Sequence, residues 1–129
     1  MNKANSKNLG GHTKMVVWQS IEQLDDIVQD ILMCIPKNKY KIYNQLESSN
    51  DSVASNFVEG YYSGYLGEYI KFLKYSRRSG AEVYTRGRRV YKHKYFGDNL
   101  YKKFEERCVK TMYLIDRTRQ SLEKKRNQL

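Results

Sequence analysis

The chain has 129 residues, with one proline and eight glycines, which favours one domain with one modest core and excludes a collagen-like or loop-dominated chain. Its formal net charge of +10, with a pI of about 9.6, favours an anionic partner, nucleic acid before a membrane surface; charge that only keeps the domain soluble is the alternative. Two cysteines, Cys34 and Cys108, make no disulfide framework; both fall on or beside apolar helical stripes and read as small buried hydrophobes.

Residues 1–14 show no periodicity and are expected to form a flexible N-terminal arm, with His12 an exposed tail residue. Residues 15–127 are expected to carry the fold. From Val16, apolar residues recur at three and four positions (Val17, Ile21, Leu24, Val28, Ile31, Ile35), which predicts a helix ended by Pro36. A second helix is expected from Tyr40–Ile42 to a glycine stop at Ser63–Gly64, with the stripe Leu46, Ser49, Val53, Phe57 and Gly60 inside. On it, Ser52, Asn56 and Glu59 stack on one side, beside the apolar row. Ordinary core helices avoid such polar groups, because their burial would demand partners.

The third helix is expected from Leu66 to about Tyr95. Its inner stripe reads Tyr69, Leu73, Ser76, Gly80, Val83, Gly87 and Val90; the small residues there suggest the close approach of another backbone. Lys71, Lys74, Arg78, Arg88 and Lys92 cluster nearly opposite that stripe on a wheel of about 100° per residue. Gly97-Asp98-Asn99 is a turn offering an N-cap to the fourth helix, whose inner side carries Leu100, Phe104, Cys108, Thr111, Ile115 and Leu122. Strand signals are absent, and short connections predict an all-α, antiparallel, up-down-up-down four-helix bundle.

Charge is unevenly distributed. Residues 1–63 carry a net charge of −1 and residues 64–129 a net of +11, so the basic character belongs to helices three and four. Tyrosines gather in the same region. Lysine and arginine neutralise phosphates, and aromatic rings stack on unpaired bases. Tyr69 and Tyr84 read as interface fillers; Tyr75, Tyr91 and Tyr95 fit either role. Lys71, Lys74, Arg77, Arg78, Arg88, Arg89 and Lys92 are the candidate nucleic-acid contacts.

No catalytic constellation is visible. The chain has two histidines, His12 and His93, with no metal-ligand spacing, no Cys-x-x-Cys, and no phosphate loop around Gly60–Gly67. No catalytic, cofactor-binding or metal-binding residue is therefore expected. No apolar run approaches transmembrane length and the N-terminus lacks a signal-peptide pattern, so a reducing, cytoplasmic setting without membrane association is expected.

Several elements in order resemble the bacterial four-helix-bundle proteins encoded in intervening sequences of 23S rRNA genes. These are Val17-Trp18-Gln19, Pro36 and Gln45-Leu46; then Ser52, Asn56, Glu59 and Gly60, which match a Ser-Ile-x-x-Asn-Ile-Ala-Glu-Gly pattern; then Glu68-Tyr69-Ile70-Lys71-Phe72-Leu73 and Ser79-x-x-Glu82. The accessory variability determinant proteins of diversity-generating retroelements share that fold. The resemblance spans about residues 16–123. It makes Ser52, Asn56, Glu59 and Gly60 an architectural signature, in which Asn56 and Glu59 are expected to hydrogen-bond to neighbouring helices or subunits and Gly60 to allow close packing. It also implies a ring-shaped homopentamer with a basic surface for nucleic acid, RNA before DNA. In the retroelement branch it implies a reverse transcriptase partner. The alternative is a structural or protein-interaction module without a nucleic-acid role. The chain departs from the family pattern at Glu47-Ser48, where members carry Arg-Arg, and at Ser49, Asn50 and Asp51. It is unusually basic at Arg77, Arg78, Arg86, Arg88 and Arg89.

Overall fold

The structure is a computed structural model that describes residues 9–129; the part of the expected arm formed by residues 1–8 lies outside the described residues. Four helices follow a short 3-10 turn at Gly11–Lys14: α1 (Val16–Met33), α2 (Tyr40–Tyr61), α3 (Leu66–Lys92) and α4 (Asp98–Asn127). Each packs on its chain neighbours, and α1 closes the bundle against α4, so α1 and α3 lie on one diagonal and α2 and α4 on the other. No strand occurs among the described residues. None of their helices is long and apolar enough to cross a membrane.

The core is the set the periodicity selects. Leu24, Val28 and Ile31 from α1, Leu46, Val53 and Phe57 from α2, Leu73, Val83 and Val90 from α3, and Phe104, Cys108 and Ile115 from α4 are all buried. Burying such side chains contributes about 1.5–3 kcal/mol each before chain entropy is counted. Few polar groups enter the core. Between α1 and α4 the hydroxyls of Ser20 and Thr111 share a 2.7 Å hydrogen bond, and Arg107 Nη1 donates to Ser20 Oγ at 3.3 Å. Between α1 and α2, Asn50 Nδ2 donates to Asp25 Oδ1 at 2.6 Å. Asn50 is thus a buried helix-to-helix tie.

Of the small residues of α3, Gly80 and Gly87 face side chains and not the backbone expected from the sequence, whereas Ser76 does meet backbone. A methyl group on Gly87 would overlap the ring of Phe104, and one on Gly80 would stand 3.1 Å from Met112 Cγ. Ser76 is buried and donates to the carbonyl of Val53 at 2.7 Å. Gly60 of α2 does meet backbone: a Cβ there would lie 2.9 Å from Phe72 Cβ and 3.2 Å from the carbonyl oxygen of Tyr69. The expected close packing at Gly60 is therefore a contact with α3.

Other local expectations shift. The turn at Gly11–Lys14 is packed against the bundle, and His12 is half-buried there. Its ring sits edge-on to Trp18 at 4.5 Å, and its Nδ1 lies 2.9 Å from Tyr62 Oη. Cys34 is exposed just past the end of α1; Cys108 is buried, as expected. α3 stops at Lys92, short of Tyr95, because Lys94 takes a left-handed conformation with φ 63° that no helix continues through. At the start of α4 no side chain caps the helix; the Asp98 carboxylate instead accepts a 2.6 Å hydrogen bond from Tyr91 Oη.

Two outcomes test this packing. Gly87→Ala is expected to destabilise the fold by about 1–2 kcal/mol, since overlap with the Phe104 ring puts the overpacking cost at about 2–3 kcal/mol, the upper part of its usual range, against a helix-propensity gain of ~1 kcal/mol. An unchanged or raised melting temperature would contradict the Phe104 contact. Burial, then the charge of Glu105, pushes the Cys108 thiol up to about 12. At pH 8 a thiol reagent should therefore modify Cys34 alone in the folded protein, and both cysteines in denaturant.

Candidate nucleic-acid interface

α3 has to offer its basic residues to solvent because its inner half is fully occupied. Leu73, Ser76, Ser79, Gly80, Val83, Gly87 and Val90 are buried against α2 and α4. On a wheel of about 100° per residue, Lys71, Lys74, Arg77, Arg78, Arg88, Arg89 and Lys92 fall within about 120° of one another, on the far side from that stripe. All seven are exposed. At about 1.5 Å rise per residue, the stripe from Lys71 to Lys92 runs for roughly 30 Å.

Most of this charge is uncommitted. Lys71 Nζ pairs with Glu68 at 3.1 Å, and Arg77 Nε with Asp116 Oδ2 of α4 at 3.1 Å. Lys74, Arg78, Arg88, Arg89 and Lys92 form no ion pair among the described residues. Exposed ion pairs of this kind contribute about 0–1 kcal/mol, so exchanging one for a phosphate costs little. On the α4 side the stripe meets an acidic border. Arg119 Nη1 donates to Glu123 Oε1 at 2.7 Å, and its other terminal nitrogen lies 3.7 Å from Asp116. The Arg119 hydrogen bond, with Arg119, Lys74 and Arg126 nearby, holds the Glu123 carboxyl below the usual carboxylate range.

Aromatic side chains separate into two groups. Tyr91 lies flat on Tyr101 at 4.0 Å, and Tyr84 lies parallel to Phe104 with its hydroxyl 3.1 Å from Glu105 Oε2. Burial and hydrogen bonding with Tyr84 and Glu105 push the Tyr101 hydroxyl above its ordinary range. Tyr69 is edge-on to Phe57, and burial, then Tyr61, pushes it up to about 12. These rings fill interfaces. Tyr95 stacks beside His93 near the end of α3. Tyr75 is exposed at the edge of the stripe, with the Arg78 guanidinium 5.4 Å from its ring centre. Tyr113 and Val109 of α4 are exposed as well, in a groove shared with Tyr84, which periodicity on α4 alone did not single out.

The signature residues make a network next to this face, not within it. Asn56 Nδ2 donates to the Ser52 carbonyl at 2.8 Å and to Ser52 Oγ at 2.9 Å, within its own helix. Ser52 Oγ in turn receives the hydroxyl of Ser79 from α3 at 2.9 Å. The expected reach of Asn56 to a neighbouring helix is thus indirect, through Ser52. Glu59 is exposed and makes no hydrogen bond to another helix among the described residues; it borders a surface groove with Ser63, Tyr65 and Glu68. Beyond Ser79, Arg86 Nη1 donates to Gln45 Oε1 of α2 at 3.1 Å, so this arginine is tied across the α2–α3 seam while its neighbours are free.

Cutting the tie between Ser52 and Ser79 tests the role of the network. Ser79→Ala leaves Ser52 and Asn56 bonded to each other and is expected to cost about 1 kcal/mol in denaturant unfolding. Asn56→Leu removes the half-buried amide and should lower stability without changing the charge of the exposed stripe. A loss of nucleic-acid binding with unchanged stability in either variant would make the network part of the binding site.

A family model described as 23S rRNA-intervening sequence protein matches residues 13–117. No curated protein and no solved structure matches the chain.

Proposed function

The chain belongs to the 23S rRNA-intervening sequence protein family, and from that premise we propose that it is a non-catalytic, oligomeric scaffold that binds structured RNA through the basic stripe of α3. The observation that carries this reading is the row of exposed, largely unpaired cations at Lys74, Arg78, Arg88, Arg89 and Lys92 on one continuous helix face. A rigid helix presents them at fixed spacing, so phosphates of a folded RNA backbone can be met together at little entropic cost. The stripe belongs to the helix clamped on both sides by the bundle, which keeps the cations in register. Assembly into a ring of bundles would repeat the stripe around an axis and multiply its avidity. A reverse transcriptase of a diversity-generating retroelement is the proposed protein partner of such an assembly.

A second reading is a protein-interaction module. It draws on the exposed groove of about 570 Å³ lined by Tyr84, Glu105, Glu106, Val109, Lys110 and Tyr113, which is the more apolar outer surface of α4.

Binding assays against salt separate the two. Lys74→Gln, Arg88→Gln and Arg89→Gln together should weaken RNA binding and reduce the slope of log K against log salt by about 2–3. The triple variant should keep its melting temperature, since all three side chains are exposed. Binding with an unchanged slope would overturn the stripe assignment; no RNA or DNA binding at physiological salt by the wild-type chain would favour the interaction module.

A further inference from the structure

A polar groove of about 710 Å³ lies between α2 and α3, lined among others by Tyr40, Gln45, Ser48, Ser79, Glu82 and Arg86. It is a shallow groove, open to solvent along its length, with room for a small molecule against its walls. It opens along the edge of the basic stripe. Glu82 stands four residues after Arg78, and Arg86 three before Arg89, so helix geometry makes them neighbours on the α3 surface. The floor is rigid. Ser79 is bonded to Ser52, and Ser49 donates to the backbone carbonyls of Gln45 and Leu46.

The walls are not yet used. Gln45 spends its oxygen on Arg86, which leaves its NH₂ and most guanidinium N–H groups uncommitted. Lys41, Asn44, Ser48 and Glu82, which also border the groove, have no side-chain partner among the described residues. Tyr40 stands at the rim, 70% exposed. A site for phosphate alone would hold donors only, and the Glu82 carboxylate would oppose the anion. Amides that both donate and accept, one carboxylate, flanking cations and an exposed ring together match a nucleobase with its phosphate.

We propose that this groove is a base-binding pocket that takes one unpaired nucleotide of RNA. Glu82 accepts from an exocyclic amino group, Asn44 and Gln45 bond the rest of the base edge, Tyr40 stacks on the ring, and Lys41 and Arg86 hold the phosphate. The proposal rests on the RNA reading and sharpens it: the target carries a bulge, loop or single strand beside a helix. Cytosine, guanine and adenine have the amino group that Glu82 requires; uracil does not.

The test is an amide-resolved NMR titration of the full chain with the four ribonucleoside 5′-monophosphates and with inorganic phosphate. The expected result is shifts at Asn44, Gln45, Glu82 and Arg86 with the cytosine, guanine and adenine nucleotides. The uracil nucleotide should bind roughly fivefold or more weakly, and inorganic phosphate should leave the amides of the base-edge residues Asn44, Gln45 and Glu82 in place. In parallel, Glu82→Ala is assayed against an unpaired oligoribonucleotide and an RNA duplex. Removing a carboxylate beside the stripe strengthens binding of any RNA on charge grounds alone, so a loss specific to the unpaired strand supports the pocket. Equal strengthening for both RNAs overturns it. Unshifted groove amides in a chain that still binds RNA overturn the pocket alone. Shifted groove amides in a chain that binds no RNA keep the pocket and remove the RNA reading.

Discussion

Everything outside α3 depends on how tightly its inside is held. Gly60 lets α2 come so near that an added methyl would press on Phe72 and the Tyr69 backbone, and Ser76 is bonded to the α2 carbonyl of Val53. On the opposite flank Gly87 receives the ring of Phe104 and Gly80 the Met112 side chain. A helix clamped by both neighbours has one free arc. The long cationic side chains cannot be buried unpaired, so that arc is where they must go. The packing thereby confines the cations to one face of one helix, the arrangement on which the proposed RNA contact rests.

The same constraint decides where polar chemistry accumulates. Small hydroxyl side chains on the α2–α3 seam, Ser49, Ser52 and Ser79, satisfy one another or the backbone and leave room beside them. Arg86 crosses that room to Gln45. The seam between α1 and α4 is closed instead by apolar contacts and the buried Ser20–Thr111 pair, with Arg107 donating to Ser20. Of these two seams the one between α2 and α3 is the polar, open one, and it borders one edge of the basic stripe.

Much of the fold was legible because period-3.6 patterning is a property of one helix at a time. The starts of all four helices, and the burial of Leu24, Val53, Leu73 and Ile115, follow from spacing. The exposure of the seven cations follows from the same wheel. What spacing could not give is the identity of the group across an interface. Gly80 and Gly87 announce a close approach, but only the fold says that side chains and not backbone arrive. Asn56 announces a need for a partner, and the partner is Ser52 one turn back. His12 gave no periodic signal; it packs on the nearby Trp18 and is held by Tyr62, which is far from it in the chain. Cys34 stands beside the apolar stripe one residue past the end of α1 and is exposed, while Ile35, on the stripe itself, is buried.

The central claim is that RNA is met by the outer arc of α3. Photo-crosslinking of the wild-type chain to bound RNA, followed by peptide mapping, tests it most directly. Crosslinks concentrated on residues 71–92 are the predicted result. Crosslinks confined to the cations of α4, such as Lys102, Lys110 or Lys124–Arg126, with α3 silent, would contradict it.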